Sequence, residues 1–386
     1  MDITDASVIP PAAAGLIDCA GVVGLGLIGG SIARALKTRA GLSRVIGLDR
    51  RPDVLAAALA DGAIDEGCRL TDASDGQDPF IALADCDAVF LCTPVETLPG
   101  LASRAAAFCS GILTDAGSVK LPVVQSLGHL ARFIGGHPMA GSERQGYACS
   151  SVDLLEGAVY VLCVPRHESA ALSAQAETDA AALAALVKSM GALPLRLDAA
   201  VHDRAVAAIS HLPHAVASAL SVLAAERDEG VLSLLAAGGF KDLTRIASAN
   251  PALWTGICLE SAPALLPILE DFAATLDRFR AAIATGDAAG LTALFARGAA
   301  YRAGLPSAGR GALDAYTTLR VQIPDRPGAL ASVATLLGDN GISIRNMDIT
   351  NVRTYESGVL RILLHDSHQS DAAVTVLTEA GYGCER

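Results

Sequence analysis

The chain has 386 residues, of which 52% are apolar and only 4% aromatic, and it carries a formal net charge of −12. That length fits two or three domains of ~100–200 residues each, and the apolar fraction argues against disorder. The acidic balance disfavours nucleic acid and anionic membranes, which need basic patches, and says little about a small anionic ligand. Nine cysteines are scattered with no C-x-x-C pair, so neither a zinc site nor a redox motif is indicated. They read as small buried hydrophobes in a reducing compartment.

The first stretch, MDITDASVIPPAAAGLID, carries acids and two prolines and lacks the pattern of a signal peptide. Residues 1–17 are taken as a disordered start. No apolar run reaches the ~18 residues of a membrane span, so a soluble cytoplasmic protein is expected.

From residue 18 to 197, CAGVVG, RVIGLD, DAVFLCTP, GILTDAG, RFIGG and AVYVLCV read as strands, and SIARALKTR, RPDVLAAALADG and VETLPGLASRAAAFC as helices. GALPLRLD adds a further strand after the Ala-rich helix that ends near Met190. Strands alternating with helices predict an α/β, doubly wound Rossmann domain with a parallel sheet. From Asp198 to Gly304 the period is helical throughout, which predicts an all-helical domain. Asp198 is a candidate N-cap, and Pro251 and Pro263 suit first-turn positions. LPSAGRGALD reads as a linker spanning 305–314. Residues 315–386 follow the order βαββαβ, the ferredoxin-like arrangement.

VVGLGLIGGSIARAL holds Gly24-x-Gly26-x-x-Gly29 between a strand and a helix. The first glycine allows a tight turn, the second lets backbone approach a pyrophosphate, and the third permits close helix–sheet packing. The helix N-terminus offers free N–H groups to phosphates. Asp49 ends the second strand, where an acid meets a ribose hydroxyl and repels a 2′-phosphate, so NAD is expected. Arg50 and Arg51 keep NADP as the alternative. The cofactor set is Gly24, Gly26, Leu27, Ile28, Gly29, Asp49, Arg50, Thr93 and Pro94. A nicotinamide cofactor implies hydride transfer, for which the protein supplies a base and a substrate anchor.

GGHPMAGSERQG follows the strand RFI, placing His137 at a strand's carboxyl end, where open α/β sheets bind ligands. Histidine suits the removal of a hydroxyl proton as hydride leaves; the bland reading is a loop histidine capping carbonyls. TDAGSVK puts Ser118 and Lys120 on the same edge, Ser118 as an orienting or substrate-binding hydroxyl or as a helix N-cap. Glu143 reads equally as electrostatic or structural. In HDRAVAAISHLPHAV, Pro213 should kink a helix and free a carbonyl. His211 and His214 are three apart, and at least one of them reads as a core histidine. No metal is expected. In GGFKDLTRIA, Lys241 and Arg245 share a helical face, and Arg245 suits a carboxylate anchor. The bland reading there is a solvated face or an ion pair with Asp242.

VVGLGLIGGSIA, TDAGSVK, GHPMAGSERQG, HDRAVAAISHLPHAVA and GGFKDLTRIA occur in the order seen in the prephenate/arogenate dehydrogenases, which the chain resembles from about residue 20 to 300. The resemblance implies a Rossmann domain plus a helical domain that forms a homodimer. It implies NAD-dependent oxidative decarboxylation of prephenate to 4-hydroxyphenylpyruvate, with the oxidation of arogenate to tyrosine as the alternative. It makes His137 the base on the ring hydroxyl, supported by Ser118, and gives Arg245 a substrate carboxylate with His214 nearby. Glu143 falls on the pocket rim, and Lys241 and Asp242 beside the arginine.

VQIPDRPGALASVATLLGDNGISIRNMDI resembles an ACT domain. That implies an amino-acid effector, tyrosine first and then phenylalanine or tryptophan, held by Asp325, Gly328, Ala329, Asn340 and Ile342, with higher assembly through ACT pairing. Two other readings are weighed: a β-hydroxyacid dehydrogenase, whose signature lysine is not apparent, and a non-catalytic NAD-binding amino-acid sensor.

Overall fold

The structure, a computed structural model, describes residues 17–71, 78–142, 144–305, 317–324, 326–350, 357–364 and 367–385. It divides into two compact units, the first ending at Thr285 and the second beginning at Gly286. The expected disordered start, apart from Ile17, and the expected linker, apart from Leu305, lie outside the described residues.

The first unit is built on β1 (Cys19–Val23), β2 (Arg44–Asp49), β3 (Glu66–Arg69), β4 (Ala88–Leu91), β5 (Ile112–Asp115), β6 (Phe133–Pro138), β7 (Val159–Cys163) and β8 (Leu193–Arg196), in the order β3-β2-β1-β4-β5-β6-β7-β8. The central runs are apolar because both sheet faces are covered. One face packs on α1 (Leu27–Thr38), α2 (Pro52–Ala60) and α5 (Ala170–Ser189), through Ile32, Leu36, Leu55, Leu183 and Val187. The other packs on α3 (Leu98–Phe108) and α4 (Leu121–Leu127), through Leu98, Ala102, Val123 and Leu127.

Two features depart from the sequence reading. β3, with the sequence EGCR, is a polar and mostly exposed edge strand, so it has no apolar run to announce it. β7 pairs antiparallel with β6, so the sheet is not wholly parallel. The reversal of strand order at β1 and β4 creates a crevice at their carboxyl ends, the place where such sheets bind ligands.

The helical part of this unit comprises α6 (Ala199–Val206), α7 (Leu212–Arg227), α8 (Leu232–Leu235), α9 (Gly238–Thr244), α10 (Pro251–Glu260) and α11 (Ala262–Thr285). Asp198 caps α6 by accepting the N–H groups of Ala200 and Val201, and Asn250 caps α10 ahead of Pro251. The break expected at Pro213 takes the form of a π-helical turn over Ala207–His211, which leaves the proline in the first turn of α7. There its missing N–H costs no hydrogen bond. Leu223, Leu235, Leu259, Leu276 and Ile283 are exposed on these helices. The stretch Ala199–Arg227 is long and apolar enough by composition to cross a membrane, which the reading of apolar runs did not anticipate. Its His202 and Asp203 are buried.

The second unit holds α12 (Ala288–Gly304), β9 (Thr317–Pro324), α13 (Ala329–Asp339), β10 (Ile344–Thr350), β11 (Ser357–Leu364), α14 (Ser367–Glu379) and β12 (Cys384–Glu385). Its antiparallel sheet has the order β10-β11-β9-β12, as a βαββαβ unit requires. Leu319, Val321, Val333, Leu337, Leu360 and Ile362 form its core.

Candidate active site

The three glycines of the loop differ: two are sterically required and one is open. Gly24 has φ +90°, and a Cβ there would lie 2.8 Å from the Cys92 carbonyl oxygen. A Cβ on Gly29 would lie 1.9 Å from the Gly24 oxygen, so only glycine lets α1 start this close to β1. At Gly26 a Cβ would meet none of the described residues within 4 Å. Gly26 borders open space at the start of α1, with Leu27 and Ile28 beside it. Asp49 Oδ2 accepts the Leu25 N–H at 2.7 Å and Oδ1 accepts the Arg51 N–H at 2.9 Å. The carboxylate therefore braces the loop from the end of β2. Arg51 is paired with Asp53, and Arg50 is exposed. An open glycine cradle at a 12-residue helix whose N-cap, Gly26, has no side chain to cap the first N–H groups fits a dinucleotide phosphate.

The loop opens into a cleft of ≈ 640 Å³. Thr93 and Pro94 after β4, Ser118 after β5 and His137 in β6 line its sheet side. Ser210, His214, Arg245 and Trp254 line its helical side. Asp115, fully buried, holds the sheet edge by accepting the N–H groups of Gly117 at 2.8 Å and Gly136 at 3.0 Å and by pairing with Lys120. Lys120 thus turns into the core rather than toward a ligand. Ser118 does not cap α4, whose N-cap is Lys120 without a side-chain hydrogen bond.

His137 is 7% exposed. Burial, and then the neighbouring His202, Lys120 and His211, push its imidazole well below the usual histidine range, so the ring is neutral near pH 7. Its hydrogen-bond partner is His202 rather than Ser118, with Nδ1 of His137 2.7 Å from Nε2 of His202. Nδ1 of His202 lies 2.7 Å from Oδ1 of Asp203. Asp203 in turn accepts the backbone N–H groups of Lys120 at 2.7 Å and Leu121 at 2.8 Å, at the start of α4. The sequence reading passed over His202 and Asp203. The one available signal was the adjacent His-Asp pair opening the helical motif.

The other two histidines of that motif separate. His211 is 1% exposed and bonds Ser261 Oγ at 3.0 Å, a core histidine pushed down to about 4 by burial. His214 lies in the cleft, stacked on Trp254, and burial lowers its imidazole too. Ser210, Trp254 and the hydrogen-bonded pair Asn250 Nδ2 to Gln145 Oε1 (2.7 Å) are cleft features the sequence reading did not single out.

Of the remaining candidate positions, Lys241 and Asp242 are exposed on α9 and do not line the cleft. α9 ends at Thr244, and Arg245 starts a separate 3₁₀ turn that carries it toward the cleft. Glu143 and Asp325 lie outside the described residues. In the second unit Gly328, with φ +85°, starts α13, and Asn340 ends it with Nδ2 donating to the Leu336 oxygen. Ala329 and Ile342 are buried, Ile342 within that unit's core.

Three family models match the chain: the prephenate dehydrogenase nucleotide-binding domain over residues 32–185, the prephenate dehydrogenase dimerization domain over 198–297 and the ACT domain over 317–381. The prephenate dehydrogenase of Bacillus subtilis is 36% identical over 364 residues, covering 91% of this chain and 92% of the relative. The crystal structure of prephenate dehydrogenase from Aquifex aeolicus in complex with hydroxyphenyl propionate and NAD+ aligns with a TM-score of 0.64 at 28% identity, over 74% of this chain and 98% of that one. The Synechocystis arogenate dehydrogenase structure aligns with a TM-score of 0.61 at 32% identity, over 74% and 99%.

Proposed function

Because the chain belongs to the prephenate dehydrogenase family, we propose that its cleft carries out the NAD-dependent oxidative decarboxylation of prephenate to 4-hydroxyphenylpyruvate. The observation that carries this reading is the His137 imidazole: buried, neutral and tethered through Nδ1, in the cleft that also holds the glycine loop and Arg245.

The glycine loop and the first N–H groups of α1 would hold the NAD pyrophosphate, Asp49 a ribose hydroxyl, and Thr93 and Pro94 the wall beside them. Bound there, NAD would supply the acceptor for the hydride on the ring carbon that carries the hydroxyl. His137 accepts the hydroxyl proton, and Ser118 lines the same wall to bond that oxygen. Arg245 forks onto a substrate carboxylate beside His214, and Glu143 joins the substrate set on the family resemblance alone. Lys241 and Asp242 lack the support of a place in the cleft. Positioning and one base are all that the protein must supply.

The test is absorbance at 340 nm with prephenate or arogenate, each under NAD and NADP. NADH formation from prephenate is the expected result. Preference for arogenate, the substrate named for the Synechocystis structure, would move the reading to that relative. Failure with both substrates would leave the non-catalytic sensor.

The exposed leucines of the helical part support a homodimer, because large apolar patches on a single chain mark association surfaces. The match to the dimerization model agrees with that. The same reading makes the C-terminal ACT unit a regulatory site for an aromatic amino acid, tyrosine before phenylalanine or tryptophan, in a cytoplasmic enzyme. Full-length enzyme assayed and titrated calorimetrically with each at millimolar levels tests the effector. Indifference to all three would leave the tail as an oligomerisation element. The domain boundaries read near 197/198 and 305–314 are supported by the ranges the three models match.

A further inference from the structure

Adjacent residues on a helix diverge by about 100° and do not share a face, yet His202 and Asp203 of α6 engage the same sheet edge. Asp203 reaches the start of α4, and His202 reaches β6. Both are buried. Both oxygens of Asp203 already accept backbone N–H groups, so the carboxylate offers His202 only acceptor capacity. Nδ1 of His202 is therefore the donor, and its Nε2, bare in a neutral ring, must accept. Nδ1 of His137 then carries the hydrogen, and Nε2 is left as a lone pair on a residue that lines the cleft.

We propose that His202 and Asp203 are positioning residues that fix His137 in its Nδ1–H tautomer and hold the substrate proton for the length of one turnover. This rests on the dehydrogenase reading of the cleft. As hydride leaves for the nicotinamide, the hydroxyl proton passes to His137 Nε2, and the O–H electron pair closes the carbonyl. The Nδ1 proton of His137 moves to Nε2 of His202, so the positive charge rests beside the Asp203 carboxylate. When the ring carboxylate departs as carbon dioxide, the freed electron pair runs through the ring onto the carbonyl oxygen. That oxygen takes the proton back from His137, and His202 returns its own. No proton is gained or lost overall, so a closed store suits the reaction better than an exit to solvent. The other charged or titratable groups facing His137 are Lys120, paired with Asp115, and His211. Lys120 and His211 both disfavour a proton held on His137 itself.

Two variants test the proposal. In Asp203→Asn an amide N–H can face His202 and turn both imidazoles over, which puts the hydrogen on His137 Nε2. The expected loss in kcat is roughly 10²–10⁴-fold, the scale set by a wrong histidine tautomer, with NAD affinity unchanged and a melting temperature lowered only by the Lys120 N–H that the amide leaves unpaired. In ¹⁵N-histidine spectra of the substrate-free enzyme, His137 should switch from Nδ1–H to Nε2–H. In His202→Gln the side-chain oxygen still accepts from Nδ1 but cannot take a proton. Its kcat should fall by about ten- to a hundredfold, as for outer partners of a working imidazole. Unchanged His137 tautomers in Asp203→Asn, or activity lost only in step with stability or NAD affinity, would overturn the proposal. If wild-type enzyme oxidised neither prephenate nor arogenate, the function reading would fail, and the substrate-free tautomers would still decide whether the dyad orients His137.

Discussion

The imidazole of His214 lies flat on the indole of Trp254, with ring centroids 3.5 Å apart and planes inclined by 20°. The stack ties α7 to α10, and both rings line the cleft. Trp254 is the chain's one tryptophan, so intrinsic fluorescence reports on this site alone. A 4-hydroxyphenyl carboxylate titrated into the enzyme with NAD should quench that emission saturably. Trp254→Ala should raise the KM for substrate by roughly three- to tenfold, the worth of one aromatic pair, with the KM for NAD unchanged. Equal effects on both constants would show that the indole supports the fold rather than the substrate wall.

The glycine loop separates packing from ligand approach. Gly29→Ala sets a Cβ 1.9 Å from the Gly24 oxygen, so the backbone of β1 or α1 must move. It should lower the melting temperature and weaken NAD together. Gly26→Ala places its methyl in open space beside the cleft. Its melting temperature should match wild type while the KM for NAD rises by at least an order of magnitude, because the pyrophosphate needs that close approach. A Gly26→Ala enzyme with wild-type NAD affinity would remove this glycine from the cofactor cradle.

Much of this organisation was legible in the chain because local patterns recorded it. Buried strands leave continuous apolar runs, and the glycine loop sets two steric demands and one open approach within six residues. β3 was missed because an exposed edge strand needs no apolar face. The roles of Lys120, His202 and Asp203 were not legible for a different reason. Lys120 follows a strand edge in a motif that looks ligand-facing, and only the buried Asp115 beneath it turns it inward. His202 and Asp203 lie about 65 residues along the chain from His137, and a helix must fold back on the sheet before they meet it. Among the three histidines of that motif, burial alone distinguishes the core one from the cleft one.

Arg245 is carried into the cleft by the 3₁₀ turn after α9. Arg245→Gln should act on substrate rather than cofactor. The loss of a bidentate carboxylate contact predicts a fall in kcat/KM of about 2–4 kcal/mol, roughly thirty- to a thousandfold. NAD affinity, measured by calorimetry without substrate, should stay within error of wild type. Collapse of NAD binding with substrate binding intact would assign the guanidinium to the cofactor.

His211 gives the fold a pH dependence of its own. Its ring is buried against Ser261 and set edge-on to Trp254, and among the described residues Nε2 has no hydrogen-bond partner. Burial lowers its pKa from 6.5 in the unfolded chain to about 4 in the fold. Between those values the unfolded chain binds a proton that the folded one refuses. Its contribution is therefore fully present above pH 6.5 and is lost as the pH falls toward 4, by a total of about 3 kcal/mol. His137, also lowered, acts in the same direction, so the wild-type slope alone does not isolate one ring. His211→Gln keeps a donor for Ser261 and cannot titrate. Urea midpoints at about pH 7, 6 and 5 should fall less steeply for this variant, by close to one proton's worth at the acid end. Parallel slopes in the two proteins would mean that His211 takes up its proton in the fold as readily as in the unfolded chain, and that its burial does not hold it neutral.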